Sequence, residues 1–267
     1  MNKYKLIAAD MDGTLLNDDS VLTPRTKSAI AEAVKAGIIF VTATGRPMCA
    51  SEEVNALFDL DMPFIVFNGV KAVLGKSKKT LFSSSLELGY AKQIYEIGTA
   101  RDIAVIMWTL EETLRVSCDS SATRDYRKIS GAGLNIIDDI EEYGKSGIAK
   151  MMWIDEPDKI KIYRGEMAEI FEGKVNCYAS RPMFLEFVNE QSSKGAALRE
   201  IGKLYGIDKG EMIAIGDSDN DISMLEYAGL GVAMANASDE VKSVCQHIAP
   251  SNNEDGVAEV IEKIINN

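Results

Sequence analysis

The chain has 267 residues, with 41 acidic against 29 basic side chains, a formal net charge of −12, and 46% hydrophobic and 26% charged residues. It is long enough for one large or two moderate domains with a full core, and its charge argues against nucleic acid or anionic membrane as partners, since phosphate-backbone affinity needs clustered Lys and Arg. No apolar run approaches membrane-spanning length, and the four apolar residues before Asp10 are too few for a signal-peptide core, so a cytoplasmic protein is expected. Cys49, Cys118, Cys177 and Cys245 lack C-x-x-C spacing and read as reduced, mostly packed thiols rather than a zinc site or disulfide framework. The single histidine, His247, lies far from any nucleophile motif, which argues against Ser-His-Asp chemistry.

In chain order, Leu6 to Ala9 is continuously apolar, the pattern of a strand covered on both faces in a parallel α/β sheet. It runs into Asp10-Met11-Asp12-Gly13-Thr14, where two carboxylates stand two residues apart at the strand end, the usual place for a ligand in such sheets. One acid suits a nucleophile that forms an aspartyl-phosphate, the other a proton donor and acceptor. An EF-hand counted from Asp10 fails, because its sixth and twelfth positions are Leu15 and Val21. Thr23-Pro24 then reads as the start of a helix stopping at Gly37. A strand over Gly37 to Val41 leads to Thr42-Ala43-Thr44-Gly45-Arg46, with a helix following from about Cys49. There a Thr44 hydroxyl and the Gly45 N–H suit phosphate oxygens; spacing leaves Thr42 open as well, and Arg46 reads as a phosphate ligand, a partner of an acid between domains, or a structural ion pair. Phe64 to Phe67 is another strand, ending in Asn68-Gly69, and 70 to 82 reads as a hairpin around Gly75 to Lys78.

From Ser84 to Asn189 the pattern changes to helices interleaved with short strands at Ile103 to Trp108, Thr113 to Cys118, Lys150 to Ile154 and Met183 to Val188. This predicts an inserted domain over 84–189, bounded by Ser83-Ser84-Ser85 and Glu190-Gln191-Ser192-Ser193, within a catalytic unit formed by 1–83 and 190–267. Arg124, Arg127, Lys128 and Arg181 of the insert are candidates for contacts to a sugar or a second phosphate. Helix Gly195 to Tyr205 and strand Met212 to Ile215 follow, then Gly216-Asp217-Ser218-Asp219-Asn220-Asp221, which also fails as an EF-hand. Acids converging from two strand ends suit a hard cation such as Mg²⁺. Lys194 sits in a first helical turn, where the helix dipole disfavours a cation by up to ~1 kcal/mol. Beside two acid clusters a functional role outweighs that, since bringing a carboxylate up to a phosphate costs roughly 4 kcal/mol per unit-charge pair at 4 Å for an effective dielectric of 20, and Mg²⁺ and a lysine are what such a reaction needs.

The ordered motifs D-x-D-G-T, Thr44-Gly45-Arg46, Ser193-Lys194-Gly195 and G-D-x-x-N-D resemble those of the haloacid dehalogenase-like phosphatase superfamily. The stretches from Ala228-Gly229 to Asn236, and from Ser251-Asn252 to Asp255-Gly256-Val257, look like its Cof-type branch of sugar-phosphate phosphatases. The resemblance implies an α/β fold with a Rossmann-like parallel-sheet core and an inserted α/β cap. It further implies Asp10 as nucleophile and Mg²⁺ ligand, and Asp12 as general acid/base touching the metal through its backbone. Met11, Thr44, Gly45, Lys194 and Asn220 would hold phosphate oxygens, Asp217 would bind Mg²⁺, and Asp221 would support it or Lys194. Asp219, at a variable position of the motif, is expected to face solvent. The expected activity is Mg²⁺-dependent hydrolysis of a small phosphorylated metabolite; a phosphomutase on the same core and a receiver-type phospho-accepting module are the alternatives.

Overall fold

The computed structural model describes residues 3–56, 61–133 and 135–265, so Met1 and Asn2 of the N-terminal stretch lie outside it. The chain divides into two compact units, Met1–Gly45 with Ser51–Phe82 and Ser193–Asn267, and Arg46–Ala50 with Ser83–Ser192.

The first unit opens with β1 (Leu6–Asp10), α1 (Pro24–Lys35), β2 (Ile39–Ala43), α2 (Glu52–Ala56), β3 (Pro63–Val66), β4 (Lys71–Leu74) and β5 (Thr80–Ser83). Thr23 caps α1 by accepting the Thr26 N–H, with Pro24 at the first helical position. Gly37, at φ 87°, takes the chain out of the helix, and sheet pairing begins only at Ile39, whose N–H meets the Lys5 carbonyl. The strand expected from Gly37 is therefore displaced by two residues. A single helical turn, Met48–Ser51, precedes α2, which starts later than the sequence suggests.

The second unit contains α3 (Leu88–Ala100), β6 (Ala104–Thr109), β7 (Leu114–Val116), α4 (Ser121–Ser130), β8 (Asn135–Ile136), α5 (Ile140–Gly144), β9 (Ile148–Ile154), α6 (Pro157–Ile170), β10 (Val175–Arg181) and β11 (Phe184–Asn189). Its six strands are ordered β10-β11-β9-β6-β7-β8. Residues of α3 and α6, among them Ala91, Ile94, Ile160 and Met167, bury Val105, Met107, Met151, Trp153 and Phe187. A buried ion pair, Lys150 to Glu186 at 3.0 Å, lies within this unit, with Tyr178 and Ser180 also donating to Glu186.

The chain returns to the first unit through α7 (Lys194–Tyr205), β12 (Met212–Gly216), α8 (Ile222–Tyr227), β13 (Leu230–Met234), α9 (Asp239–Ser243), β14 (His247–Ala249) and α10 (Gly256–Ile265). The eight strands run β14-β13-β12-β1-β2-β3-β4-β5. Pairing from β14 to β3 is parallel, and the hairpin adds an antiparallel edge at β3 and β4. Strand β1 is central. Its Ile7 and Ala9 join one apolar cluster with α1 and α10, while Leu6 and Ala8 join another with α7 and α8, which is why the strand is apolar throughout. All four cysteines are free, but Cys49 and Cys118 are exposed, so the packing expected of the thiols holds only for Cys177 and Cys245, each partly covered.

Candidate active site

Asp10 closes β1 and is buried; Asp12, two residues on, is exposed. The chain turns at Gly13 with φ 82°, and a Cβ there would lie 2.6 Å from Asp217 Oδ2, so only glycine fits. The first-motif loop is thereby held against the acids after β12. Thr14 Oγ1 donates to Asp217 Oδ1 at 2.7 Å, and Ser218 Oγ donates to Asp217 Oδ2 at 3.0 Å.

Lys194 is the first residue of α7, whose N-cap Ser193 accepts the Ala196 N–H. Its side chain is fully buried and donates to Asp10 Oδ1 and, at 2.6 Å, to Asp221 Oδ1. The other Asp221 oxygen accepts the N–H groups of Asp217 and Ser218, each at 3.0 Å. Burial alone would lower the Lys194 pKa, but Asp10 and Asp221 outweigh it and hold the ammonium above its usual value. Burial, reinforced by the Asp221 charge, pushes Asp10 well above the carboxylate range while Lys194 pulls it back. Asp217 is raised chiefly by burial, with the Thr14 hydrogen bond opposing.

Among the described residues, Asp10, Asp217 and Asp221 each bring an oxygen atom within 4.8 Å of the others. A hard, oxygen-only set with excess negative charge fits a divalent cation of the Mg²⁺ type. Asp10 and Asp217 are the carboxylates expected there, Asp12 being expected to reach the metal through its backbone only, and Asp221, expected to support the site, brings its own carboxylate into the cluster.

Thr44 and Gly45 follow β2; Thr44 is buried, and its N–H meets the Ile65 carbonyl at 2.8 Å. Gly45 packs on the Asn68 side chain, whose amide atoms would stand 3.0 Å from an added Cβ. Asn220 Nδ2 donates to Asn68 Oδ1 at 2.9 Å, and its own buried Oδ1 has no partner. Thr42 is buried with its hydroxyl unpaired, and Met11 is buried after β1. Arg46 groups with the second unit, donating to the Ala50 carbonyl at 3.3 Å, so it is not brought to these acids within one unit. Asp219 is exposed. In the second unit, Arg124 and Lys128 pair with Asp119 and Asp125, and Arg181 lies over the Phe184 ring.

Three side chains at the site were not singled out from sequence. Thr14 lay inside the first motif and Ser218 inside the fourth, whereas Asn68 was marked only by a polar junction after a strand.

A sequence profile of haloacid dehalogenase-like hydrolases matches residues 7–261. The chain belongs to this family. The resemblance drawn from four short motifs thus extends over nearly the whole length of this haloacid dehalogenase-like hydrolase. YwtE of Bacillus subtilis (strain 168), a 5-amino-6-(5-phospho-D-ribitylamino)uracil phosphatase, is 31% identical to it over 98% of each chain. YcsE of the same organism carries the same description at 32% identity, covering 96% of this hydrolase and 94% of YcsE. A crystal structure of a haloacid dehalogenase-like hydrolase from Bacteroides thetaiotaomicron superposes with a TM-score of 0.86 at 28% identity, covering 98% of this chain and 99% of that one. The α/β core with an inserted cap, expected from the motifs, is the fold of this neighbour. Membership supports an enzyme rather than the receiver-type module weighed against it.

Proposed function

We propose that this hydrolase is a Mg²⁺-dependent phosphatase of small phosphorylated metabolites, sugar phosphates foremost, working through an aspartyl-phosphate on Asp10. The observation that carries the reading is the buried Lys194 ammonium bridging Asp10 and Asp221 beside Asp217. Two buried carboxylates and a phosphate repel one another, and a fixed cation among them is what an incoming phosphoryl group requires. Asp10, Asp217 and the Asp12 backbone would hold a Mg²⁺ ion, with Asp221 supporting, and the ion would supply further positive charge for the phosphoryl oxygens.

An Asp10 oxygen attacks phosphorus, the bond to the ester oxygen breaks, and Asp12 gives that oxygen its proton. Asp12, now ionised, takes a proton from water as the water attacks the aspartyl-phosphate, which frees Asp10 and releases phosphate. The exposure of Asp12 suits this exchange with solvent and leaving group. Lys194, Thr44, the Gly45 and Met11 N–H groups and Asn220 hold the phosphoryl oxygens, and Arg46 has a supporting role.

The segment 84–189 acts as the cap that reads the leaving group, with 1–83 and 190–267 as the catalytic core. The relatives YwtE and YcsE, named for a phosphorylated ribityl chain, support a polyol or sugar phosphate. Free cysteines and acidic charge support a cytoplasmic setting without nucleic acid or membrane partners. Purified protein assayed against sugar phosphates, polyol phosphates, nucleotides and phosphoamino acids tests the reading. Fastest turnover on sugar or polyol phosphates is expected; no phosphate release from any ester overturns it.

A further inference from the structure

The turn Phe67–Gly69 after β3 has three consecutive positive φ angles, 51°, 55° and 100°. Only the last belongs to a glycine. Two buried non-glycine residues in this region store strain that the surroundings must hold in place, and such strain gathers at functional sites. The surroundings here are three of the four motifs. The Asn68 N–H meets the Thr44 carbonyl at 3.0 Å, the Asn68 amide packs on Gly45, and Gly69 presses on the backbone before Lys194, where an added Cβ would stand 2.1 Å from the Ser193 carbonyl oxygen. The fourth motif is reached through the hydrogen bond from Asn220 Nδ2 to Asn68 Oδ1.

That bond uses one of the two Asn220 N–H groups and fixes the plane of its amide. It leaves the second N–H for another acceptor, and it leaves Asn220 Oδ1 buried with no partner. A buried, unpaired amide oxygen is costly and uncommon in a native structure. We propose that Asn68 is the positioning residue of the phosphoryl site: it orients Asn220 so that the free N–H meets a phosphoryl oxygen and the bare Oδ1 accepts the hydroxyl of a protonated phosphoryl group. This inference rests on the phosphatase reading and adds to it a residue that does not itself touch the phosphorus.

The test compares Asn68→Gly, Asn220→Ala and the double variant with wild type, using p-nitrophenyl phosphate turnover and competitive inhibition by inorganic phosphate. Glycine accepts the positive φ, so Asn68→Gly removes the amide while keeping the turn; Asn68→Ser, too short to reach Asn220, serves if the glycine variant fails to fold. The expected result is a rise of roughly tenfold in the phosphate Ki and in KM, the loss of one hydrogen bond to a charged group, with a smaller change in kcat. In the Asn220→Ala background the same change should add less than about twofold, because Asn68 acts through Asn220. An unchanged Ki in active Asn68→Gly protein overturns the inference, as does a full tenfold effect persisting without Asn220. Wild-type protein that hydrolyses no phosphate ester overturns the phosphatase reading and the inference together, so the two failures are told apart by the wild type alone.

Discussion

Asp10 and Asp12 are chemically identical and two residues apart, yet their surroundings separate them. Asp10 is buried, its carboxyl pushed up by burial and drawn partly back by the Lys194 ammonium beside it, while Asp12 faces outward with access to water. Replacing Asp12 with Asn leaves that ion pair in place. Steady-state hydrolysis should fall by roughly 10²- to 10⁴-fold, the span of acid–base catalysis, and labelled phosphoenzyme from a substrate with a good leaving group should outlast that of wild type in rapid-quench measurements. Near-normal hydrolysis by the variant would remove Asp12 from the reaction. Both acids were readable from the sequence because a strand end followed by glycine confines them to one place. Asn68 was not, since its backbone angles and its long-range partners have no signature in neighbouring residues. The placement of Arg46 in the second unit was equally hidden: three residues after a core strand, nothing in its own neighbourhood tells which unit it joins.

Two elements show how packing outranks intrinsic preference. Gly195 in the first turn of α7 should favour alanine by about 1 kcal/mol on helix propensity alone, but an added Cβ would stand 2.1 Å from the Ser223 carbonyl oxygen at α8. The clash should win. Gly195→Ala is expected to lower the melting temperature and, by displacing the neighbouring Lys194, to reduce kcat more than tenfold; a stabilised, fully active variant would contradict the close approach of these helices. In the second unit, Lys150 keeps its pKa above the usual value because Glu186 more than offsets its burial. A raised lysine pKa contributes stability that is complete below the unfolded value of 10.5 and fades as pH climbs through the folded one. In Glu186→Gln the sign reverses, because a buried ammonium deprived of the Glu186 charge that offsets its burial is pushed towards the neutral form. Destabilisation of about 3–5 kcal/mol is expected near pH 7, shrinking as pH rises towards 10, which denaturant titrations at several pH values would show. These elements also mark the limit of sequence patterning. Strands β6, β7, β9 and β11 stand out within a residue or two by their apolar runs, whereas β10, an edge strand with a single buried residue, offers no such run.

At the scale of the molecule, the acids of two distant segments form one cluster that carries more negative charge than Lys194 alone neutralises. Chelation should therefore abolish turnover, and Mg²⁺ should restore it; the ion should also raise the melting temperature, by an increment that grows with the logarithm of its concentration above the dissociation constant, since it binds only where the segments have come together. Turnover in rigorously metal-free buffer, with no such shift, would rule out the shared site. The order of strands has a second consequence, for the chain as it is made. Strand β1 is flanked by β2 on one side and by β12 on the other, with Leu6 beside Met212. A ribosome delivering the chain from its N-terminus presents β1, then completes the contiguous segment Ser83–Ser192, and only afterwards supplies the partner for the second edge of β1 along with Lys194, Asp217 and Asp221. Throughout that interval the nascent first unit carries an open apolar strand, a hazard for association with other chains, and Asp10 waits without the cation and acids that surround it in the finished fold. Activity is thus withheld until Lys194, Asp217 and Asp221 have been made, and Leu6–Asp10 needs protection over the whole of that interval.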